Sequence, residues 1–221
     1  MRVRSLVGIA SLMTALAALP AGAATPKAAA AIAHNGNAHG APACSACHGV
    51  DGQGQAAAGF PRLAGLNATY LLHQLEAFAD GSRASAVMAP VAKALGTDER
   101  KALADDYAAL PPPASVVQPA PAISGGAGEQ LALHGRWSAD VPSCVACHGP
   151  RGEGVGAGFP PLAGQPAGYL ANQLDAFKSG ARHNDPLGLM QHVASALSEQ
   201  DIKAVSAWFA AQPVTPRGGK P

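Results

Sequence analysis

Cys44 and Cys47 stand three positions apart and are followed at once by His48, and the same pattern returns as Cys144, Cys147 and His148. On a helix, positions i and i+3 lie about one turn apart on one face. Two thiols so placed can bond two neighbouring points of a single flat ligand. The histidine then offers a ring nitrogen beneath that ligand. Thioether bonds to the two vinyl groups of a haem and an imidazole on its iron satisfy this geometry, and Cys-x-x-Cys-His is the attachment pattern of c-type haem. A disulfide or thioredoxin-like dithiol accounts for Cys-x-x-Cys, but not for two copies each followed by His. A zinc site needs four ligands, and no second cysteine pair lies near either of these. The expected cofactors are two covalently attached c-type haems, which use all four cysteines of the chain.

Haem iron needs a sixth ligand or an open face, and the choice separates carriers from enzymes. Beyond the first two dozen residues only two methionines remain, Met88 and Met190, lying 40 residues after His48 and 42 after His148. A lone methionine is ordinarily core filler. Two survivors at matched places, each following a matched arginine, read as axial thioethers, pairing His48 with Met88 and His148 with Met190. A thioether raises the potential relative to bis-histidine ligation. The remaining histidines (His34, His39, His73, His134, His183 and His192) read as surface or loop residues. His183 and His192 flank Met190 and are the candidates for a substitute ligand. Pro61 and Pro160 could present a carbonyl to the proximal imidazole and fix its tautomer. Arg83 and Arg182 read either as partners for haem propionates or as solvated arginines beyond a helix end.

The elements that must hold these groups are written twice. Phe60-Pro61-Arg62-Leu63-Ala64-Gly65 returns as Phe159-Pro160-Pro161-Leu162-Ala163-Gly164. Tyr70, Leu71, Gln74, Leu75, Phe78, Gly81 and Arg83 return 99 positions later. A period near 100 residues marks a duplicated domain rather than a solenoid. Leu71, Leu75 and Phe78 fall at i, i+4 and i+7, as do Leu170, Leu174 and Phe177, which predicts one amphipathic helix per copy. Gly81 and Gly180 mark its left-handed stop. A last helix carries Leu103, Tyr107 and Leu110, or Ile202, Val205 and Phe209, the second opened by a capping box from Ser198 to Asp201. No alternating strand pattern appears. The fold class is all-α, twice. The expected organisation is a signal peptide over 1–23, domains over 24–110 and 125–212, a linker over 111–124 with five prolines and no charge, and a flexible tail over 213–221.

The leader rests on Arg2 and Arg4, an apolar run from Leu6 to Leu19, and the small residues Ala21-Gly22-Ala23. That run is too short to span a bilayer and fits a secretory signal, so the mature chain is expected in the periplasm, with no transmembrane span. The 15 basic and 14 acidic residues give a formal charge of +1, which excludes a globally basic nucleic-acid binder. Alanine dominates the apolar fraction and aromatics reach only 5%. A haem would fill the interior that such side chains leave thin.

Taken together, Cys-x-x-Cys-His-Gly, Phe-Pro-x-Leu-Ala-Gly, Tyr-Leu-x-x-Gln-Leu-x-x-Phe-x-x-Gly-x-Arg and Met, repeated in one chain, resemble the dihaem cytochrome c4 family. The resemblance covers roughly residues 34–212. It implies two class I cytochrome c domains related by a pseudo-twofold, with His/Met iron at both sites. It also implies a monomeric electron carrier of a bacterial respiratory chain, fed by a quinol-linked or dehydrogenase-linked donor and delivering to a terminal oxidase. No catalytic residues are expected. A competing reading is the cytochrome subunit of a dehydrogenase, as in flavocytochrome sulfide dehydrogenases. A dihaem peroxidase would need an open iron, and a cysteine-ligated thiosulfate-oxidising enzyme would need a fifth cysteine.

Overall fold

The computed structural model describes residues 26–113 and 126–214; the expected leader, most of the linker and the end of the tail lie outside the described residues. The first copy contains α1 (Pro26–Asn35), α2 (Ser45–His48), α3 (Ala68–Asp80), α4 (Met88–Lys93) and α5 (Thr97–Ala109). The second repeats the order as α6 (Ala127–His134), α7 (Cys144–His148), α8 (Ala167–Lys178), α9 (Leu189–Ser195) and α10 (Glu199–Ala210). Among the described residues there are isolated bridges but no sheet. The all-α expectation holds.

In each copy the first helix packs on the last, α1 on α5 and α6 on α10. The crossing is close because the contact residues are small. A methyl group on Gly128 would run into the Ala204 carbonyl, and the matching place in the first copy holds the fully buried Ala29. Ile32, Leu71, Leu103 and Tyr107 centre one core; Leu131, Leu170, Ile202 and Phe209 centre the other. The long helices begin and end where their chemistry dictates. Asn67 accepts from the Tyr70 amide at 3.2 Å, and Ser198 and Asp201 cap α10 reciprocally at 2.9 and 3.1 Å. Gly81 ends α3 at φ +92°. In α8 the cap is Ser179, one residue before the left-handed Gly180.

α3 carries two buried faces. Leu71 turns into its own core, while Tyr70 and Gln74 turn toward the second copy. There Arg182 donates to the Gln74 Oε1 at 2.9 Å and to the Tyr70 hydroxyl at 3.4 Å. Reciprocally, Arg83 donates to the Tyr169 hydroxyl at 3.0 Å and to Gln173. Exchanging the copies maps one set of contacts onto the other, which is a pseudo-twofold relation. The reading of Arg83 and Arg182 as solvated arginines is therefore corrected: they are 5% and 6% exposed, because each guanidinium finds hydrogen-bond acceptors across the domain boundary.

Candidate haem sites

α2 and α7 are single turns that bring the cysteine pair and the histidine to one wall. His48 Nδ1 lies 2.9 Å from the Pro61 carbonyl and His148 Nδ1 lies 2.8 Å from that of Pro160. A carbonyl oxygen can only accept, so Nδ1 carries the hydrogen in both rings and Nε2 keeps its lone pair. Burial holds both imidazoles below the usual histidine pKa, against the opposing pull of the proline carbonyls. Two neutral, oriented imidazoles with a free Nε2 are what an axial position on iron requires. Phe60 and Phe159 stand against these rings at centroid distances of 6.2 and 6.1 Å.

Burial favours the protonated form of two of the thiols. Burial pushes Cys144 up to about 11 and raises Cys44 as well. Among the described residues, no three His, Cys, Asp or Glu side chains converge as a metal site.

In the second copy a cavity of about 640 Å³ lies between α7, α8 and α9, with Cys144, Cys147, His148 and Met190 all on its wall. Met190 is half-buried, and its amide donates to Asp185 Oδ2 at 2.7 Å; in the first copy the Met88 amide donates to Ser85 Oγ at 3.0 Å. His183 and His192 are exposed, and His183 Nδ1 is held by the Gly180 carbonyl at 3.1 Å. Neither joins the cavity wall.

The group implied by the sequence fits this space. The lining is largely apolar, as a macrocycle needs, and four side chains sit where two thioethers and two axial ligands would be made. At one edge lies Arg182, whose hydrogen-bond partners Tyr70, Gln74, Gln173 and Asn184 are all uncharged. A buried cation without a carboxylate among these partners suits a ligand that brings its own anions, as haem propionates do. Sequence reasoning missed that Thr69, Tyr70, His73 and Gln74 of the first copy help line the second copy's cavity. The signal was there: Tyr and Gln recur at matched places inside a helix.

Comparison with known proteins agrees with this geometry. The family described as "Cytochrome c" matches residues 33–107 and 132–212. A thiosulfate dehydrogenase electron acceptor of Stutzerimonas stutzeri (strain A1501) is 49% identical over 77% of this chain and 79% of its own. Reduced recombinant cytochrome c4 from Pseudomonas stutzeri superposes with a TM-score of 0.73 at 33% identity, covering 86% of this chain and 100% of that one. Thiosulfate dehydrogenase (TsdBA) from Marichromatium purpuratum superposes with a TM-score of 0.80 at 43% identity, over 86% of this chain but only 41% of that longer one.

Proposed function

Because the chain belongs to the cytochrome c family, as a two-domain, dihaem member of the cytochrome c4 kind, we propose that it is the electron acceptor of a thiosulfate dehydrogenase. The observation that carries this is the 49% identity to a relative of that description over most of both chains, against 37% to a cytochrome c4 relative over a similar span. The expectation of a carrier dedicated to a terminal oxidase gives way to the dehydrogenase-linked alternative. Export to the periplasm stays part of the proposal, on the strength of the leader. Among the described residues no helix is long and apolar enough to cross a membrane.

Each haem, when bound, supplies a one-electron couple. Cys44 and Cys47, and Cys144 and Cys147, tether it to the turn that carries the proximal histidine. His48 and Met88 would hold one iron, and His148 and Met190 the other. Pro61 and Pro160 keep the Nδ1 hydrogens in place, which would leave each Nε2 lone pair to the metal. The chain contributes no acid, base or nucleophile to bond chemistry and is not itself catalytic. The interface buries Arg83 and Arg182 between the copies and joins them by hydrogen bonds in both directions.

Stopped-flow mixing of the oxidised protein with purified thiosulfate dehydrogenase and thiosulfate tests the proposal. Reduction of both haems that needs enzyme and thiosulfate together is expected. No reduction under those conditions, alongside rapid turnover with a terminal oxidase, would restore the oxidase-carrier reading.

A further inference from the structure

The two proximal histidines are held by carbonyls of chemically different peptides. Pro61 is followed by Arg62, so the peptide whose oxygen accepts from His48 also bears an N–H. That N–H donates to Gln165 Oε1 of the second copy at 3.0 Å, and Gln165 Nε2 donates back to the Arg62 carbonyl at 3.0 Å. Arg62 and Gln165 are 2% and 3% exposed. Gln165 also lines the cavity of the second copy. In that copy Pro160 is followed by Pro161, whose peptide has no hydrogen to donate, and the place matching Gln165 holds Leu66. The two histidine hydrogen bonds have nearly equal lengths; what differs is the group standing behind each.

Resting on the axial role proposed for His48, we infer that Gln165 is a positioning residue for the first haem, acting from the second domain through the Pro61–Arg62 peptide. Donation from an amide N–H makes its carbonyl a better acceptor, since hydrogen bonds in a chain polarise one another. The carbonyl then draws harder on the Nδ1 hydrogen of His48 and makes that imidazole a more basic ligand. A more basic ligand favours the ferric state. The relay lowers the potential of the first haem; no such relay reaches the second, whose Pro160–Pro161 peptide has no hydrogen to donate. The Arg62 side chain cannot account for such one-sidedness. Its guanidinium bridges the matched carbonyls of Ala64 at 2.7 Å and Ala163 at 3.3 Å, so its charge sits between the copies.

Gln165→Met keeps the length of the side chain and removes both the acceptor and the donor; Gln165→Glu keeps an acceptor and loses the donor. Both holoproteins would be examined by potentiometric titration and by NMR of their ¹⁵N-histidine rings in the reduced state. In the Met variant, the reduced-to-oxidised ratio of the first haem should rise about threefold at fixed potential, about 28 mV at 59 mV per decade. Its His48 Nδ1 hydrogen should exchange faster, with the His148 signal unmoved. The Glu variant should return both readings to wild type or beyond. Equal shifts at the two haems, or a Glu variant that behaves like Met, would overturn the relay and leave Gln165 a mere domain clamp. A His48 ring without the displaced shifts of a haem-bound imidazole would instead refute its axial role.

Discussion

Arg83 and Arg182 face each other as the two residues of an antiparallel bridge, each with its guanidinium 4.4 Å from the ring of a phenylalanine on its own copy, Phe78 or Phe177. Around the bridge, the Ala84 amide donates to the Ala181 carbonyl at 2.8 Å and the His183 amide to that of Ser82 at 2.9 Å. Two like charges are thus brought together at the centre of the domain boundary, stacked on aromatics and surrounded by neutral acceptors.

Arg182→Gln should weaken this boundary and the site beside it. The Tyr70 and Gln74 acceptors lose a charged donor, for which about 2 kcal/mol of stability is expected. Removing a cation from the second cavity's wall also disfavours the ferrous state, so the second haem's potential should fall. Thermal unfolding and a redox titration check the two halves of the prediction.

Ligation of both irons by methionine predicts a simple count. Met88→Ala and Met190→Ala should each remove half of the far-red methionine-to-iron absorption of the ferric protein, and the double variant all of it. Ferric spectra normalised to covalent haem content read this directly. A single substitution that removes none of the band would place the sixth ligand elsewhere.

Access to the second haem should depend on the segment between Arg182 and Met190. It is three residues longer than its counterpart before Met88. Leu187 there is held at φ +59° and is 97% exposed, and Leu189 and Val155 are each 51% exposed. A bulky side chain in left-handed backbone is strained, and its full exposure suits contact with another protein. Leu187→Glu should slow reduction by thiosulfate dehydrogenase at least about tenfold, the effect of roughly 1.4 kcal/mol lost at an interface. Reduction by ascorbate, which needs no docking face, should not change. Val87→Glu in the first copy is the control.

Asp201 sets a pH window for the second domain. Burial pushes its carboxyl up, but hydrogen bonds from Arg136 at 2.7 Å and from Ser198 outweigh this and hold it below the usual carboxylate range. Its contribution is present above the unfolded-state pKa of about 3.9 and is lost as pH falls through the lower folded value. Asp201→Ala should cost about 1 kcal/mol at neutral pH, as loss of a helix cap does. That difference should shrink below about pH 4, as acid unfolding curves would reveal.

The duplication, the helices and the proline carbonyls behind His48 and His148 were legible because each follows a local or repeated pattern: a spacing, a stripe, a capping pair. Leu71, Leu103, Tyr107, Ile202, Val205 and Phe209 were expected in the core and are buried. What lay beyond reach was the relation between the copies. Gln165 has no counterpart in the first copy and looks like any loop glutamine until Arg62 is seen beside it. Leu187 likewise looks like core until its backbone turns it outward. Pairings made across a hundred residues leave no periodic trace, and repetition exposes only the symmetric ones, such as Tyr70 with Tyr169.

The flank of the second cavity formed by Thr69, Tyr70 and His73 also gives the molecule a direction in time. A chain made from its N-terminus completes α3 about a hundred residues before α8, so that flank exists before the helices that close against it. The second half is finished on a template that the first half has already laid down. A chain cut to begin just ahead of Ala127 would keep the second copy's own helices and cysteines and still lack the Thr69, Tyr70 and His73 side of its cavity.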